Sequence, residues 1–501
     1  MKALLPLFLL IILTSAGQAQ KIVYSEISKK DSRNMSFEIV GKFKGNVIVY
    51  KNVARKHLLS KYDQDMQLVE NVALDFMQDK ILNVDFLTFA DGFIMIYQFQ
   101  KNNIVFCNAV KINTEGNPTA SPISLDNTSI GFFASNKIYA TSFSENKQKI
   151  LVYKRNIKNG AATISTKLYD NNLVLLDSTN HFFSFDTQKE IFSELVVDNQ
   201  GNFVYTKESK KQQRDYAGHI ESVVHKIGID SVEVNVLPLQ EKFVDEVMIK
   251  VDNLNKNYII NALCYDGRRG SIDGLFTAVI DIEGNKATRV AVNIFKEELR
   301  NSINRSSNFQ SAFDNFITQN ILLKKNGGFV IVAEDFYSQT LRSNNTWNRN
   351  YYNDYSGSSN YYLNNRGYYG YRPWNDYGGQ EVTRYYYNDI LLASVDSSLH
   401  LQWDNLIHKK QYDVDNDNFL SYSILNVGNE IHFFFIENDR KKYIVSNSSV
   451  FSTGEIKKYP TLKSNQNGYD FMPRLSKQIG ANQMIMPFVY LGEIGFAKID
   501  F

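Results

Sequence analysis

The residues best equipped for recognition chemistry crowd into one segment. Between Arg342 and Tyr387 lie twelve Tyr, nine Asn, five Gly, five Arg, Trp347 and Trp374, and no Lys. Leu363 and Val382 are its only aliphatics, so it cannot build a conventional core. Tyr and Trp give stiff, amphipathic contact area, Arg and Asn give hydrogen bonds, and Gly gives adaptability. Aromatic faces also stack on sugar rings. The candidate ligand-binding residues are therefore Trp347, Tyr351, Tyr352, Tyr361, Tyr362, Arg366, Tyr368, Tyr369, Arg372 and Trp374, for a glycan or a protein partner. The competing reading is a low-complexity insertion of no fixed role.

The other chemistry-bearing residues are weaker signals. Asp413, Asp415 and Asp417 alternate as in half a calcium loop, but Asn418 stands where an EF-hand needs Gly and Ile424 where it needs Glu. A solvated acidic turn is the better reading, and no metal is expected. The seven His show no zinc spacing with a third ligand nearby. His219 and His225 fall on one strand, read as a polar surface strand. Asp266 to Gly274 reads as an extended hairpin loop. No nucleophile elbow and no phosphate-binding Gly loop occurs, and no cofactor is expected. Acidic residues could still meet at glycosidase spacing, or Arg and Tyr could serve a lyase.

The elements that position these residues are strands. Runs rich in Val, Ile, Phe and Tyr alternate with Asn, Asp, Gly and Lys turns. Asn46–Val53, Gly92–Gln100, Lys149–Lys154, Gly328–Ala333 and Glu430–Ile436 are the clearest. One short helix is expected over Lys296–Asn301. A recurring pattern, an apolar strand ending in an Asp or Asn turn, is marked at Asp63, Asn113, Asp170, Asp230, Asp281, Asp396, Ser452 and Asp500. The marks lie about 50 to 60 residues apart, except where the Tyr-rich insertion intervenes. That period fits a four-stranded β-propeller blade. One such sheet cannot bury both faces alone, and stacking around an axis buries them all. Lys21 to Ser28 forms a lone alternating strand, and Asp500 stands where a fourth strand should begin. The expectation is an all-β chain, a single propeller of eight blades (seven being the alternative count), closed by the N-terminal strand. The insertion then links the second and third strands of one blade, opening at the mouth.

Asp91-Gly92-Phe93-Ile94 and Asn326-Gly327-Gly328-Phe329-Val330 resemble the strand starts of repetitive secreted bacterial β-propeller proteins. Ser394-Val395-Asp396-Ser397-Ser398-Leu399-His400-Leu401-Gln402-Trp403 resembles their second signature, an Asp turn leading to a strand with Trp. The resemblance covers two or three blades in motif. It implies the fold and brings no family active site.

The N-terminus reads as a targeting segment. Lys2 precedes an apolar run from Leu4 to Leu13, and Gly17 and Ala19 suit a cleavage site. Residues 1–19 are expected to be a signal peptide and 20–501 the propeller, with 342–387 as its insertion. That makes the protein exported, to the periplasm, cell surface or exterior. No later segment is apolar enough to span a membrane. Lys+Arg 55 against Asp+Glu 53 leaves +2, which gives no footprint for nucleic acid. Cys107 and Cys264 sit in apolar stretches and read as buried, unpaired thiols. The absence of a motif-level catalytic set favours a secreted, monomeric, non-enzymatic binding or scaffold protein. The alternative is a carbohydrate-active hydrolase or lyase with its site in the mouth.

Overall fold

A computed structural model describes residues 21–27, 35–131, 138–284, 288–306, 315–340, 383–414, 417–439, 442–462 and 468–501. The expected signal peptide, Asp415 and all ten candidate ligand-binding residues lie outside them. Strand is the dominant element among the described residues, and the sheets are antiparallel. Consecutive sets of four strands occupy residues 35–73, 81–129, 139–184, 190–237, 243–294, 316–407 and 422–462, with the first strand of the 190–237 set split in two. The fourth and fifth sets belong to one nine-stranded sheet, joined through the single pair Ala217 and Val244.

Burial falls off from the middle of each set to its fourth strand. Gly92–Lys101, a second strand, is buried along its first eight residues because neighbouring sheets cover both faces. Leu68–Ala73 and Val232–Leu237, both fourth strands, are mostly exposed. First strands of successive sets touch one another, Met35–Phe43 against Ile81–Thr88 and Phe243–Asp252 against Phe316–Leu323. They therefore surround the axis, and the fourth strands form the outer rim. Each neighbouring pair of sets shares one apolar cluster, such as Phe43, Tyr50, Phe86 and Tyr97 between the first two. The fold is an all-β propeller.

Closure follows the sequence expectation. Lys21–Tyr24 pairs antiparallel with Glu493–Asp500, with Lys21 opposite Asp500. Ser25 adds two bonds with Phe496, donating its N–H to the Phe496 carbonyl at 2.9 Å and accepting the Phe496 N–H on Oγ at 3.0 Å. Tyr24 packs among Tyr469, Phe471 and Phe488. Phe37 and Val49 of the first set share a cluster with Ile485 and Phe496 of the last, so the ring is continuous.

At four of the turn marks the recurrence has one physical cause. Asp63, Asn113, Asp170 and Asp396 each accept, on the side-chain oxygen, the backbone N–H groups two and four residues ahead. Each sits between a third and a fourth strand, where this side chain supplies acceptors that the reversing backbone lacks. The Trp of the sequence signature is a clip between sheets. Trp403 donates its indole N–H to the Ser452 carbonyl at 3.0 Å, and its ring covers Gly454, where an added Cβ would come within 2.6 Å.

The helix spans Glu297–Ser306, longer than expected. Arg300 on it reaches Asp273 of the preceding sheet. Cys107 and Cys264 are both free and buried. No helix among the described residues is long and apolar enough to cross a membrane.

Candidate functional site

The insertion rises from two strands of the sixth set, Phe329–Thr340 and Thr383–Val395. They are the second and third strands, as the sequence implied. The strand pairing continues out to Thr340 opposite Thr383, so residues 341–382 leave from a closed hairpin. Thr383–Tyr387, counted with the insertion in sequence, are therefore part of the sheet. Gln411–Val414 pairs with Arg384–Tyr387 and makes the stalk three-stranded.

Alternation gives this stalk two different faces. Phe336, Tyr385 and Tyr387 are buried and pack on Ile317 and Leu420. On the opposite face Tyr337 lies across from Tyr386, and Tyr386 across from Tyr412. The first two rings stack at 4.5 Å with 13° between planes, and Tyr412 follows at 6.1 Å. Tyr412 is 65% exposed, so the ladder ends in solvent.

Beneath the stalk lies a dense polar network. Lys409 Nζ meets Glu334 Oε1 at 2.6 Å, and neither side chain has any exposure. The ammonium also donates to the Tyr387 carbonyl at 3.1 Å and to Gln411 Oε1 at 3.0 Å. Ser421 Oγ and Gln319 Nε2 each donate to Glu334 Oε2 at 2.6 Å. Burial lowers the Lys409 pKa, opposed by Glu334. A buried pair persists only when other bonds satisfy both ions, as here.

A bulge brings in further acids. Asn388 and Asp389 stand where one residue, Asp335, faces them. Asn388 Nδ2 donates to Asp335 Oδ2 at 3.0 Å. Burial pushes the Asp335 carboxyl up to about 7, with Asp389 and Glu334 adding to the rise. From the ordinary carboxyl range near about 4 up to that value, the folded chain holds a proton that the unfolded chain has lost. Stability therefore falls as pH rises through that window. Asp335→Asn is expected to flatten this slope, read as the urea midpoint against pH. Equal slopes in both proteins would refute the assignment.

Asp417 is drawn into the same network. Its Oδ2 takes Arg474 Nη1 at 2.8 Å and the Tyr387 hydroxyl at 2.9 Å. Burial alone would raise its carboxyl, but Arg474 and Tyr387 outweigh it and hold the pKa low. Asp413 instead lies in the third stalk strand and accepts the Val414 N–H at 2.7 Å. The two described members of the acidic triplet thus serve separate structural roles. No group of three His, Cys, Asp or Glu among the described residues is arranged to hold a metal ion.

Two other sequence signals resolve differently. His219 and His225 share the strand Ala217–His225, but only His219 is half-exposed. His225 lies at the buried end of the strand and is bonded to Asp177 of the neighbouring sheet at 3.0 Å. This corrects the polar-surface reading. The loop after Asp266 opens at the same end as the insertion. Its Arg269 donates to Asp215 at 2.8 Å, and Asp273 holds Lys242 at 2.7 Å.

Sequence reasoning missed Glu334, Asp335 and Lys409, which form the root of the site. It also missed Glu38 and Asp85 on the axial strands, 4% and 5% exposed. Burial raises the Glu38 carboxyl, offset by Lys477 and reinforced by Asp85. Asp85 accepts bonds from Asn83 and Thr141, both at 3.0 Å.

No known protein family and no curated protein matches the sequence. Among solved structures, the chain is similar to the WD40 domain of SCAP from fission yeast, at 9% identity and TM-score 0.40, over 96% of this chain and 98% of that one. It is similar to prolyl oligopeptidase B from Galerina marginata, at 8% identity and TM-score 0.40; the match covers 91% of this chain and 56% of that one. It is also similar to the β-propeller domain of the Trilobed protease from Pyrococcus furiosus, at 8% identity and TM-score 0.37, over 84% and 96%.

Proposed function

We propose that the chain is an exported, non-enzymatic binding or scaffold protein, an eight-bladed propeller that engages a glycan or protein partner. Capture occurs through residues 341–382 and the stalk that carries them. The observation that supports this reading is the stalk itself. A solvent-facing Tyr337, Tyr386 and Tyr412 ladder stands on a buried, ion-paired root. Rigid aromatic contact area costs little conformational entropy on binding. The carboxyl groups nearest the site are buried and tied to structural partners: Glu334 to Lys409, Asp417 to Arg474, and one oxygen of Asp335 to Asn388. Glycoside cleavage needs a carboxyl pair that substrate can reach. Buried acids tied to structural partners fit recognition better than that chemistry.

The test is a variant in which a short turn replaces residues 341–382, keeping the Thr340 and Thr383 pair, alongside Tyr412→Ala. Both are expected to lose capture of glycans on an array, or of protein partners in solution. The melting temperature of the excised form should change little, since its root is retained. Retained capture by both variants would sink the reading. So would partner cleavage by the parent that excision abolishes.

A further inference from the structure

A second concave site lies away from the stalk, between the outer parts of the second and third sheets. It encloses about 140 Å³ and is lined by Asp126 of the second sheet and by Lys154, Lys167, Ser178 and Asn180 of the third. The register explains the convergence. Lys154 faces Ser165, which faces Asn180, and Lys167 faces Ser178 on the next row. Alternation sends these side chains to one side of the sheet.

The donor inventory decides what fits. Lys154 Nζ donates to Asp126 Oδ2 at 2.6 Å and to Thr128 Oγ1 at 2.8 Å. Lys167 Nζ donates to Asp126 Oδ1 at 3.0 Å and to the Leu125 carbonyl at 3.1 Å. An ammonium has three donors, so each retains one. Asn180 spends its carbonyl oxygen on the Ser165 hydroxyl at 2.6 Å, which leaves its amide N–H pair for the cleft. Ser178 has no side-chain partner among the described residues and adds a hydroxyl. Both oxygens of Asp126 are taken, and two ammonium groups against one carboxylate leave a charge of +1. The cleft therefore presents surplus donors and surplus positive charge, and its acceptor is already occupied.

We propose that this cleft is a binding site for a small oxyanion, the carboxylate of an acidic sugar or a free phosphate. Its volume equals roughly four to five waters at their liquid share, enough for either headgroup. The anion accepts from the two spare ammonium N–H groups, the Asn180 amide and the Ser178 hydroxyl. These would be charge-assisted bonds, about twice as strong as neutral ones. The site is independent of the stalk reading and stands if that reading fails.

The test is calorimetric titration and thermal shift of the full chain in anion-poor buffer at fixed ionic strength. The probes are inorganic phosphate and glucuronate, with glucose as the neutral control. Saturable binding of phosphate or glucuronate, and none of glucose, is expected. The tighter of the two identifies the source. Asn180→Asp puts a carboxylate where the anion sits, and Lys167→Gln removes the surplus charge while Asp126 keeps Lys154. Each is expected to weaken binding by about tenfold or more, equivalent to about 1.4 kcal/mol. The melting temperature of Asn180→Asp without anion should match the parent. No saturable binding of either anion, or unchanged affinity in both variants, would overturn the proposal.

Discussion

Lys409→Met is expected to destabilise the fold by about 3–5 kcal/mol, because it strands Glu334 as an uncompensated buried charge. The Glu334 side chain has no exposure, so water cannot replace the ammonium. The same substitution leaves the Tyr387 carbonyl and Gln411 without their shared donor. Pairing Lys409→Met with Glu334→Leu should recover most of the loss, since removing both ions removes the desolvation cost as well. Chemical unfolding of the three variants measures this as a double-mutant cycle. A single variant within about 1 kcal/mol of the parent would mean that the ion pair contributes little. The result bears on function, because the pair sits directly under the stalk. Capture measured below the unfolding transition should weaken in the single variant and return in the double.

Removing residues 21–34 is the second large effect. The deletion takes away the strand opposite Glu493–Asp500 and the packing of Ile22, Tyr24 and Ile27 on the last cluster. Those side chains are partly buried, so their loss should cost about 3–5 kcal/mol at roughly 1.5–3 kcal/mol per fully buried large side chain. It also uncovers the backbone of an apolar strand whose Phe496 and Ile499 are fully buried. An uncovered edge of that kind templates pairing with another chain. A lower urea midpoint together with concentration-dependent light scattering is expected. A midpoint equal to the parent's would show that closure by this strand is dispensable.

Much of the architecture is legible in the residues. The Asp63, Asn113, Asp170 and Asp396 turns recur because each needs the same side-chain acceptor, so a local rule repeats and can be seen. Asn46–Val53 matches its predicted span because Asn46 and Val53 both abut tight turns. The root of the site is a different matter. Glu334 and Asp335 interrupt an apolar strand, which is a signal, since such charges are seldom buried without partners. Their partners at Asn388, Lys409 and Ser421 come from later elements, and no spacing rule links them. The bulge opposite Asp335 sets that register, and bulges leave little trace in composition. Likewise, nothing beside His225 in sequence points to Asp177, which sits on the neighbouring sheet.

Ring closure also has a consequence in time. Lys21 pairs with Asp500, so this contact joins residues very far apart in sequence. No ribosome can release that pair together until Asp500 has been made. Each earlier sheet can form from its own consecutive strands as it emerges. The last sheet alone must wait for a segment made first, which has to stay unpaired meanwhile. Contacts of such long sequence separation are slow to form. Yet the entropic penalty of closing a loop grows only as the logarithm of its length, so the long wait adds little to the final free energy. The Lys21–Tyr24 strand is thus made long before the sheet it completes and docks there last, and the interval between is when the nascent ring is most open to capture by a neighbour.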